Sequence, residues 1–407
     1  MNIVIIGAQW GDEGKGKMVD FLSVHADIVI RFSGGANAGH TIVNNNTTYK
    51  FHLLPSGILY ENTTVVLGSG MVIDLEALFA ELDEIKKQGI EWKGRVFISN
   101  RAHIVLPGYK KKDIELEKER KNPIGTTGRG IGVAYSMKAG RDGLRVVDVL
   151  DPDRLQAFAD DDRRYLAQFT DLLKEMTFDI STFIRKNTSS QILLEGAQGA
   201  LLDIDLGTYP FVSSGCSTAA GASLGAGIGP KQLDKIYGVF KAYSTRVGNG
   251  PFPTEFREEF DGNMEDLVRR LGHEYGATTG RPRRCGHLDL VALRYAVLVN
   301  SFDALILTHI DVYDQFDEIY ACVAYDIDGR RTKEFPASIS DLERARPVLQ
   351  SFRGWKTDIT AIREYQDFPA AVQNYITYIE NFCENPVEIV SVGPDRAQTI
   401  IRKPIWT

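Results

Sequence analysis

Apolar runs and helical patterns alternate along most of the chain. Short runs rich in β-branched or other apolar residues predict strands, because such runs are typical of strands buried within a sheet. The predicted strands are residues 3–6, 27–32, 64–67, 95–98, 191–194, 235–240, 304–308 and 387–392. Helical spacing of apolar positions predicts helices between several of them, for example at residues 75–87 and 288–299.

Strands that alternate with helices indicate an α/β fold, in which helices flank a mostly parallel central sheet on both faces. Residues 151–185 are polar with helical spacing and predict an inserted helical pair, whereas residues 252–280 predict a loop with a short helix near a site. No stretch is poor enough in apolar residues to mark a linker. We therefore expect residues 1–407 to form a single α/β domain with helical and loop insertions.

The composition narrows the functional class. Apolar residues make up 43% of the chain and charged residues 25%, values that allow a sizeable buried core. The net charge of −7, with no strongly basic segment, argues against general nucleic-acid binding. The four cysteines show no CxxC spacing, so zinc or a disulfide framework is not expected. The N-terminus lacks a signal peptide pattern and no apolar run is long enough to span a bilayer, so we expect a cytoplasmic protein without a membrane partner.

The glycine-rich segment 7–17 is the strongest functional signal. It lies between the first predicted strand and a helical pattern, where backbone N–H groups and a helix N-terminus favour a polyphosphate. Lys15 adds a positive charge, which makes the site P-loop-NTPase-like. Gly16, however, stands where an ordinary P-loop has a Ser or Thr for Mg²⁺, and Asp12 and Glu13 lie inside the loop. A carboxylate beside a triphosphate either ligates the metal or moves a proton, so the loop predicts chemistry as well as binding.

Two further glycine-rich segments follow. Residues 34–41 combine glycines with Asn37 and His40, and this His is either structural or able to donate to a phosphoryl oxygen; the glycines around it favour the second role. Residues 125–132 form a Gly/hydroxyl loop that is either a simple turn or, together with Arg141, a monophosphate site.

Three later segments add candidate ligands. Gln198 follows a predicted strand, at the carboxyl end where doubly wound sheets bind ligands, and its amide can read a base edge. Residues 278–284 hold three arginines. They form either a solvated basic turn or a site where guanidinium groups bind a substrate carboxylate, and the stiff Pro282 favours the second interpretation. Asp311 follows another strand and can accept from guanine N1–H and N2–H₂ together.

These motifs together resemble the adenylosuccinate synthetase family, whose members join aspartate to inosinate using GTP. The resemblance runs from Ile3 to near the C-terminus. It rests on GDEGKGK, NAGHT, GTTGRGIG and EGAQG, on residues 241–248 leading to 250–255, and on the Arg281 cluster.

The resemblance implies a role for each matching position. Asp12 is implied as the base that removes the N1 proton of inosinate, and His40 as the group that stabilises charge while the γ-phosphoryl group moves to O6. The implied catalytic residues are Asp12, Lys15, His40 and Gln198. The implied GTP ligands are Gly11, Glu13, Gly14, Lys15, Gly16, Lys17, His309, Asp311, Ser391, Gly393 and Pro394. The implied inosinate ligands are Asp12, Asn37, Thr127, Arg141, Gln198, Ser213, Val247 and Arg281.

The resemblance also implies partners and a cofactor. Thr278, Thr279, Arg281 and Arg283 would form a mobile loop that binds aspartate. Mg²⁺ would be held by Asp12 and the Gly39 carbonyl. Arg141 would reach the inosinate site from the partner subunit of a homodimer.

The chain departs from the family pattern at several positions. His309 stands where the family has a Lys whose stem covers guanine, Ser213 where it has Thr, and His287 where it has Trp. Gly215 and Cys216 replace a Ser-Asn pair. These departures leave the choice between GTP and ATP open without removing the implied base.

Two other functions stay open from the sequence. One is a family branch that uses a 2-aminopurine (guanylate-type) monophosphate, ATP or both. That branch replaces the loop Asp, whereas this chain retains Asp12. The other is a non-catalytic GTP-binding regulator, against which the second phosphate loop and the arginine cluster argue.

Overall fold

A ten-stranded sheet forms the centre of the computed structural model, which describes residues 1–44, 47–276 and 280–406. The strands are β1 (Asn2–Gly7), β2 (Ile28–Arg31), β3 (His40–Asn44), β4 (Thr47–Phe51), β5 (Thr64–Leu67), β6 (Val72–Ile73), β7 (Val96–Ser99), β8 (His103–Ile104), β9 (Thr177–Phe178), β10 (Ile192–Glu195), β11 (Lys235–Lys241), β12 (Ser244–Arg246), β13 (Arg284–Gly286), β14 (Leu288–Asp289), β15 (Ala304–Thr308), β16 (Glu318–Ile327), β17 (Arg330–Thr332), β18 (Arg346–Arg353), β19 (Val387–Ser391) and β20 (Thr399–Ile401).

The helices lie mostly between these strands. They are α1 (Lys15–Leu22), α2 (Leu75–Lys87), α3 (Pro107–Glu119), α4 (Ile131–Gly140), α5 (Val146–Val149), α6 (Pro152–Leu155), α7 (Asp160–Ala167), α8 (Thr170–Met176), α9 (Ile180–Lys186), α10 (Ala219–Ala226), α11 (Glu258–Asp261), α12 (Met264–Leu271), α13 (Leu290–Asn300), α14 (Ile339–Arg344) and α15 (Ala370–Cys383).

The central sheet has the order β20-β19-β15-β11-β1-β10-β2-β5-β7-β9. Its neighbouring strands are parallel except for the edge pair β19 and β20. Consecutive residues of β1 enter two different hydrophobic cores: Val4 and Ile6 lie in one, and Ile3 and Ile5 lie in the other. The sheet is therefore covered on both faces, which explains why its strands read as continuous apolar runs.

The α/β class predicted from the sequence is confirmed. Each of the eight predicted strands corresponds to a strand of the central sheet, and the helix predicted at residues 75–87 is α2. The Asp74 side chain begins this helix by accepting from the Ala77 N–H at 3.3 Å. The predicted helix at 288–299 starts two residues late as α13, because Leu288 and Asp289 pair with β16 as β14.

The structure differs from the predicted insertion. Residues 151–185 hold the four short helices α6 to α9 rather than a helical pair, and β9 in the same segment joins the edge of the central sheet. The spacing of Leu166, Leu173 and Ile180, all fully buried, is compatible with helix throughout, so periodicity alone did not reveal the breaks. The smaller sheet built on β16 and β18 was not predicted, because β18 is mostly exposed and lacks an apolar run.

Within the described ranges, no helix has both the length and the apolar content that crossing a bilayer requires. Cys216, Cys285, Cys322 and Cys383 are free thiols in the described structure.

Candidate active site

The predicted site segments meet at the carboxyl ends of neighbouring parallel strands. The segment 7–17 follows β1, and hydrogen bonds tie it to both neighbours. The Thr308 hydroxyl at the end of β15 donates to the Glu13 carbonyl at 2.7 Å, and the Leu201 N–H beyond β10 donates to the Gln9 carbonyl at 3.1 Å. The order of the sheet thus brings together Glu13 and Thr308, which are 295 positions apart in the chain.

Glu13 holds the phosphate loop from inside. Its buried carboxylate accepts from the backbone N–H groups of Gln9 (3.1 Å) and Gly11 (2.8 Å). The ammonium of Lys15 lies 2.6 Å from the same carboxylate. Glu13 therefore shapes the loop and places Lys15 within it. The GTP contacts implied for both residues remain predictions.

His40 packs directly on the phosphate loop. A Cβ atom at Gly16 would lie 2.8 Å from the Cβ of His40, closer than such contacts occur. This approach explains why glycine occupies the position that Ser or Thr takes in an ordinary P-loop. It also brings the imidazole to the start of α1, where a polyphosphate is expected.

Glu195 orients His40. The two side chains are hydrogen-bonded through His40 Nδ1 and Glu195 Oε1, and both are buried. The Ser56 N–H and hydroxyl each donate to Glu195 at 2.8 Å. Burial opposes ionisation of Glu195, but the charges of His40 and Arg31 outweigh it and hold the pKa of this carboxyl below its ordinary value. The ionised carboxylate fixes a proton on Nδ1 and leaves Nε2 as the nitrogen available to a ligand.

Arg283 connects the predicted base with a buried acid. Its Nε lies 2.7 Å from Asp12 Oδ2, an ion-pair distance, although the N–H bond is not directed at that oxygen. Its Nη1 donates to Glu274 Oε2 at 2.7 Å. Asp12 is 31% exposed, so it remains open to solvent and to a ligand on its other side. The structure therefore brings together two residues predicted for different substrates, Asp12 for inosinate and Arg283 for aspartate.

Glu274 is the centre of a buried polar network. It accepts from Lys241 Nζ and from the Tyr243 hydroxyl, both at 2.5 Å, in addition to Arg283. Burial by itself would raise the pKa of Glu274, but the cations, Lys241 foremost, lower it to about 2. The acid is therefore ionised throughout the neutral range.

His309 joins this network as a neutral imidazole. Burial and the charge of Lys241 lower its pKa to about 3. Its Nδ1 is 3.3 Å from the Tyr243 hydroxyl, whose own proton is donated to Glu274, so Nδ1 carries the proton and donates. Nε2 is then an acceptor, and it lies 3.8 Å from where a Cβ of Gly14 would be. The chain thus places a hydrogen-bond acceptor beside the phosphate loop, at a position where the resemblance implies a lysine.

A cavity of about 460 Å³ lies next to Asp311. Asp311, Asp314, Gln315, Lys356, Asp358 and Thr360 line it. The predicted base ligand Ser391 lies in the same region of the molecule, since the ammonium of Lys17 bonds to its hydroxyl at 2.6 Å and interacts electrostatically with Asp311. Burial raises the pKa of the Asp311 carboxyl.

Two implied inosinate ligands carry buried polar atoms without a partner in the described structure. These are Asn37 Oδ1 and Ser213 Oγ. Buried polar atoms in folded proteins nearly always have a partner, so both atoms suit contact with a ligand, and their roles in binding inosinate remain predictions. Gln198 lies close to this region, because a Cβ at Gly34 would be 3.2 Å from its Oε1.

Four of the implied site residues have left-handed backbone conformations that residues other than glycine seldom adopt. The φ angles are 60° at Asp12, 59° at Gln198, 56° at His309 and 70° at Arg141. Such conformations cost free energy and persist where the surrounding structure enforces them, which is common at functional sites. At Arg141 the conformation is that of the C-cap of α4, and the roles of all four residues remain predictions.

Other predicted residues are more exposed than those of this centre. Thr127, Arg141 and Arg281 are exposed, and Val247 is 46% exposed. The loop that contains Thr127 is nevertheless anchored near Val247, because the Asn249 N–H donates to the Ile124 carbonyl at 3.2 Å. Pro394 is exposed, and Gly39 is partly buried. Thr278 and Thr279 lie outside the described residues.

Sequence reasoning assigned no role to several residues of this network. Glu195 and Lys241 each begin a segment on which the resemblance rests, so both offered a signal. Glu274 offered none, because a single acid in a polar segment is indistinguishable from a solvated one. Arg284, the third arginine of the cluster, pairs with Glu255 through two contacts of 2.5 Å and is not free to bind a substrate carboxylate.

Comparisons with known proteins identify the family of the chain. The family model described as adenylosuccinate synthetase matches residues 4–400. The chain is 45% identical to the adenylosuccinate synthetase of Aquifex aeolicus, over 99% of this chain and 98% of that protein, and 43% identical to that of Salinibacter ruber, over 98% and 97%.

Two solved structures also resemble this chain. The fully ligated adenylosuccinate synthetase of Plasmodium falciparum superposes with a TM-score of 0.93 at 39% identity, covering 98% of this chain and 99% of that one. The succinoaminodeoxyadenylate synthetase of cyanophage S-2L, bound to dGMP and dATP, has a TM-score of 0.65 at 20% identity and covers 99% of this chain and 95% of that one. The second likeness concerns the fold alone.

Proposed function

Because the chain belongs to the adenylosuccinate synthetase family, we propose that its active site joins L-aspartate to inosinate with GTP, giving adenylosuccinate, GDP and phosphate. The protein is a ligase of purine nucleotide biosynthesis that forms a C–N bond. The observation that carries the assignment to this site is the contact of 2.7 Å between Asp12 and Arg283. It places the proposed base for inosinate beside the proposed cation for aspartate.

The reaction requires activation of O6 of inosinate, because this oxygen is a poor leaving group. Loss of the N1 proton of inosinate to Asp12 makes O6 nucleophilic, and O6 then takes the γ-phosphoryl group of GTP, which gives 6-phosphoryl-inosinate and GDP. The amino group of aspartate attacks C6, the C6–O6 bond breaks, and phosphate leaves with both electrons of that bond. The proton lost by the amine goes to solvent or to a nearby base.

His40 and Lys15 stabilise the charge of the moving phosphoryl group. Glu195 holds the imidazole of His40 in one orientation against the phosphate loop, so no reorganisation is needed at the moment of transfer. Lys15, placed by Glu13, adds a positive charge at the same loop. Gln198 contributes its amide to the purine side of the site.

Arg283 and Arg281 bind the carboxylates of aspartate in this proposal. Arg283 is 12% exposed and already rests on two carboxylates of the protein, Asp12 and Glu274. A substrate carboxylate replaces Asp12 as its partner, while Glu274 keeps the guanidinium in place.

We also propose that Mg²⁺ binds at Asp12 and the Gly39 carbonyl. Oxygen donors suit this ion, and Mg²⁺ is usually held by one or two carboxylates together with substrate phosphates. The site fits that pattern: Glu13 is occupied by backbone N–H groups and Lys15, which leaves Asp12 as the accessible loop carboxylate. Among the described residues no cluster of three or more His, Cys, Asp or Glu forms a separate metal cage. Held by these residues, Mg²⁺ would supply positive charge to neutralise the phosphate groups.

A homodimer in which Arg141 reaches the partner's inosinate site is part of the proposal. Arg141 ends α4 in an exposed, left-handed conformation, from which its side chain can leave its own subunit. Asp12→Asn and Arg141→Leu are each expected to lose most turnover. Mixing the two variants should restore part of it, because some mixed dimers contain one site with both native residues. No recovery after unfolding and joint refolding would contradict a shared site.

A cytoplasmic location completes the proposal. The free thiols of the described cysteines suit a reducing compartment, and the proposed substrates are metabolites of that compartment. Fractionation with an antibody against the native protein tests it, and recovery mainly in an extracytoplasmic fraction would contradict it.

Phosphate release tests the function directly. The assay contains Mg²⁺, aspartate and either inosinate or deoxyguanylate, each with GTP or ATP. We expect turnover with inosinate and GTP that depends on aspartate. Turnover only with deoxyguanylate would assign the chain to the 2-aminopurine branch. Nucleotide binding without release in any mixture would contradict a ligase.

A further inference from the structure

The ammonium group of Lys17 is fully engaged within the protein. Its three N–H donors face three acceptors: Ser391 Oγ at 2.6 Å, the Gly393 carbonyl at 2.7 Å and the Gln398 carbonyl at 3.0 Å. The side chain is 7% exposed. A lysine ammonium has only three donors, so contact with a phosphate oxygen would require release of one of these bonds. Only the backbone N–H of Lys17, in the first turn of α1, can meet a phosphate without such a change.

The three acceptors belong to one turn, residues 391–398, between β19 and β20. The Val392 N–H donates to the Gln398 carbonyl at 3.0 Å, and the Asp395 N–H donates to the Gln398 side chain at 3.0 Å, so the turn is closed on itself. Lys17 bonds to both of its ends. Ser391, Gly393 and Pro394 of this turn are the residues that the sequence assigns to the nucleotide base.

The same helix that carries Lys17 begins at the phosphate loop. Asp20, one turn further along α1, forms two contacts of 2.7 Å with Arg396 of the turn. Burial lowers the pKa of Lys17 to about 7, whereas Asp311 at the cavity and Asp395 in the turn act to raise it. The ammonium therefore interacts electrostatically with both of these acids. The helix thus connects the triphosphate end of the site with its base end.

We propose that Lys17 is a positioning residue that fixes the turn 391–398 against the phosphate-loop helix and so sets the geometry of base recognition, rather than a ligand of the triphosphate. The inference rests on the proposed function, because it assigns the turn to the base of GTP. Loss of the ammonium removes three of the hydrogen bonds that hold the turn to α1 and leaves the Asp20–Arg396 pair, while the phosphate loop, held by Glu13, keeps its shape.

Isothermal titration in the presence of Mg²⁺ separates the two roles. The ligands are GTP, ATP and inorganic tripolyphosphate, and the variants are Lys17→Met and, as a matched control, Lys87→Met, whose ammonium is exposed on α2. We expect Lys17→Met to weaken GTP binding by about 10–100-fold, the range for hydrogen bonds to a charged group. Tripolyphosphate binding should stay within about threefold, and the preference for GTP over ATP should shrink. The control should match the wild type with all three ligands.

Ser391→Ala provides a second test that leaves the lysine intact. It should weaken GTP binding in the same direction by a smaller factor, and the double variant should bind GTP no more weakly than Lys17→Met alone. An equal loss of GTP and tripolyphosphate affinity would make Lys17 a phosphate ligand and overturn the proposal, as would unchanged GTP affinity in Lys17→Met. Titration needs no turnover, so this result is independent of the phosphate-release assay that decides the proposed function.

Discussion

Two buried carboxylates orient the residues that the sequence motifs supply. Glu195 holds His40, and Glu274 holds Arg283, Lys241 and the hydroxyl of Tyr243. Both acids are ionised because nearby cations outweigh the effect of burial. At the scale of single residues, the site is therefore a set of reactive groups that buried charges hold in place.

Glu195→Gln tests the orienting role. The amide keeps an acceptor for His40 Nδ1 but removes the charge that stabilises a positive imidazole, so we expect kcat to fall on the order of 10²-fold, the scale of general acid–base effects. The KM for GTP should change little. Steady-state phosphate release measures both.

Ser56→Ala is the matched control for this variant. It removes a different hydrogen bond to Glu195 without touching His40, and we expect a much smaller change in kcat. A kcat for Glu195→Gln close to that of the wild type would rule out a role for the charge.

Arg283→Leu tests the carboxylate site. Removal of the guanidinium should raise the KM for aspartate by about 10–100-fold, the range for bonds to charged groups, and the KM for GTP far less. Because Arg283 also contacts Asp12, kcat should fall as well. Initial rates at varied aspartate and at varied GTP give the two KM values.

Arg284→Leu distinguishes a loss of aspartate binding from a general loss of structure around the arginine cluster. Arg284 pairs with Glu255, so its loss should lower stability without raising the KM for aspartate selectively. Equal increases of both KM values in Arg283→Leu would show that the residue does not discriminate for the carboxylate substrate.

At the scale of secondary-structure elements, the phosphate loop and α1 form one closely packed unit. Glu13 closes the loop from within, His40 packs against Gly16, and Lys17 and Asp20 attach the helix to the turn at 391–398. The loop therefore has little freedom to accept a larger side chain.

Gly16→Ala tests that packing. The new methyl would lie 2.8 Å from the Cβ of His40, so we expect a loss of about 1–3 kcal/mol in the free energy of unfolding and a fall in kcat as His40 shifts. Denaturant titration and phosphate release measure the two effects.

Gly108→Ala is the control, because a Cβ at this position meets nothing within 4 Å. Gly108 lies in helix α3, where alanine should stabilise the protein by about 0.5–1 kcal/mol. Equal behaviour of the two variants would contradict the close packing of His40.

The stability of the whole molecule should depend on pH through Glu274. Its pKa is lowered from 4.5 to about 2 on folding, so its contribution is fully present above pH 4.5 and is lost as pH falls from 4.5 towards 2. The loss is on the order of a few kcal/mol. We expect the Tm of the wild type to drop between pH 5 and pH 3 more steeply than that of Glu274→Gln. Glu384→Gln, at an exposed site, should follow the wild type, and parallel curves for Glu274→Gln would contradict the shift.

The sequence determined the strands, the α/β class and the positions of the ligand loops, because these depend on local patterns. Continuous apolar runs mark strands covered on both faces, and glycines near strand ends mark backbone that a phosphate can approach. The divisions within residues 151–185 and the mostly exposed strand β18 were missed, since neither leaves a distinct period in the chain. Strand β16 was missed although residues 319–325 form an apolar run.

Only the tertiary structure decided which side chains act together. The partners of Lys17 are 374 to 381 positions away, those of His40 and Asp12 are 155 and 271 positions away, and no local pattern encodes such pairs. The protonation of His309 likewise depends on burial beside Lys241 rather than on residue type. The reason is physical: a motif fixes what a residue can do, whereas the order of strands in the sheet fixes which charges surround it.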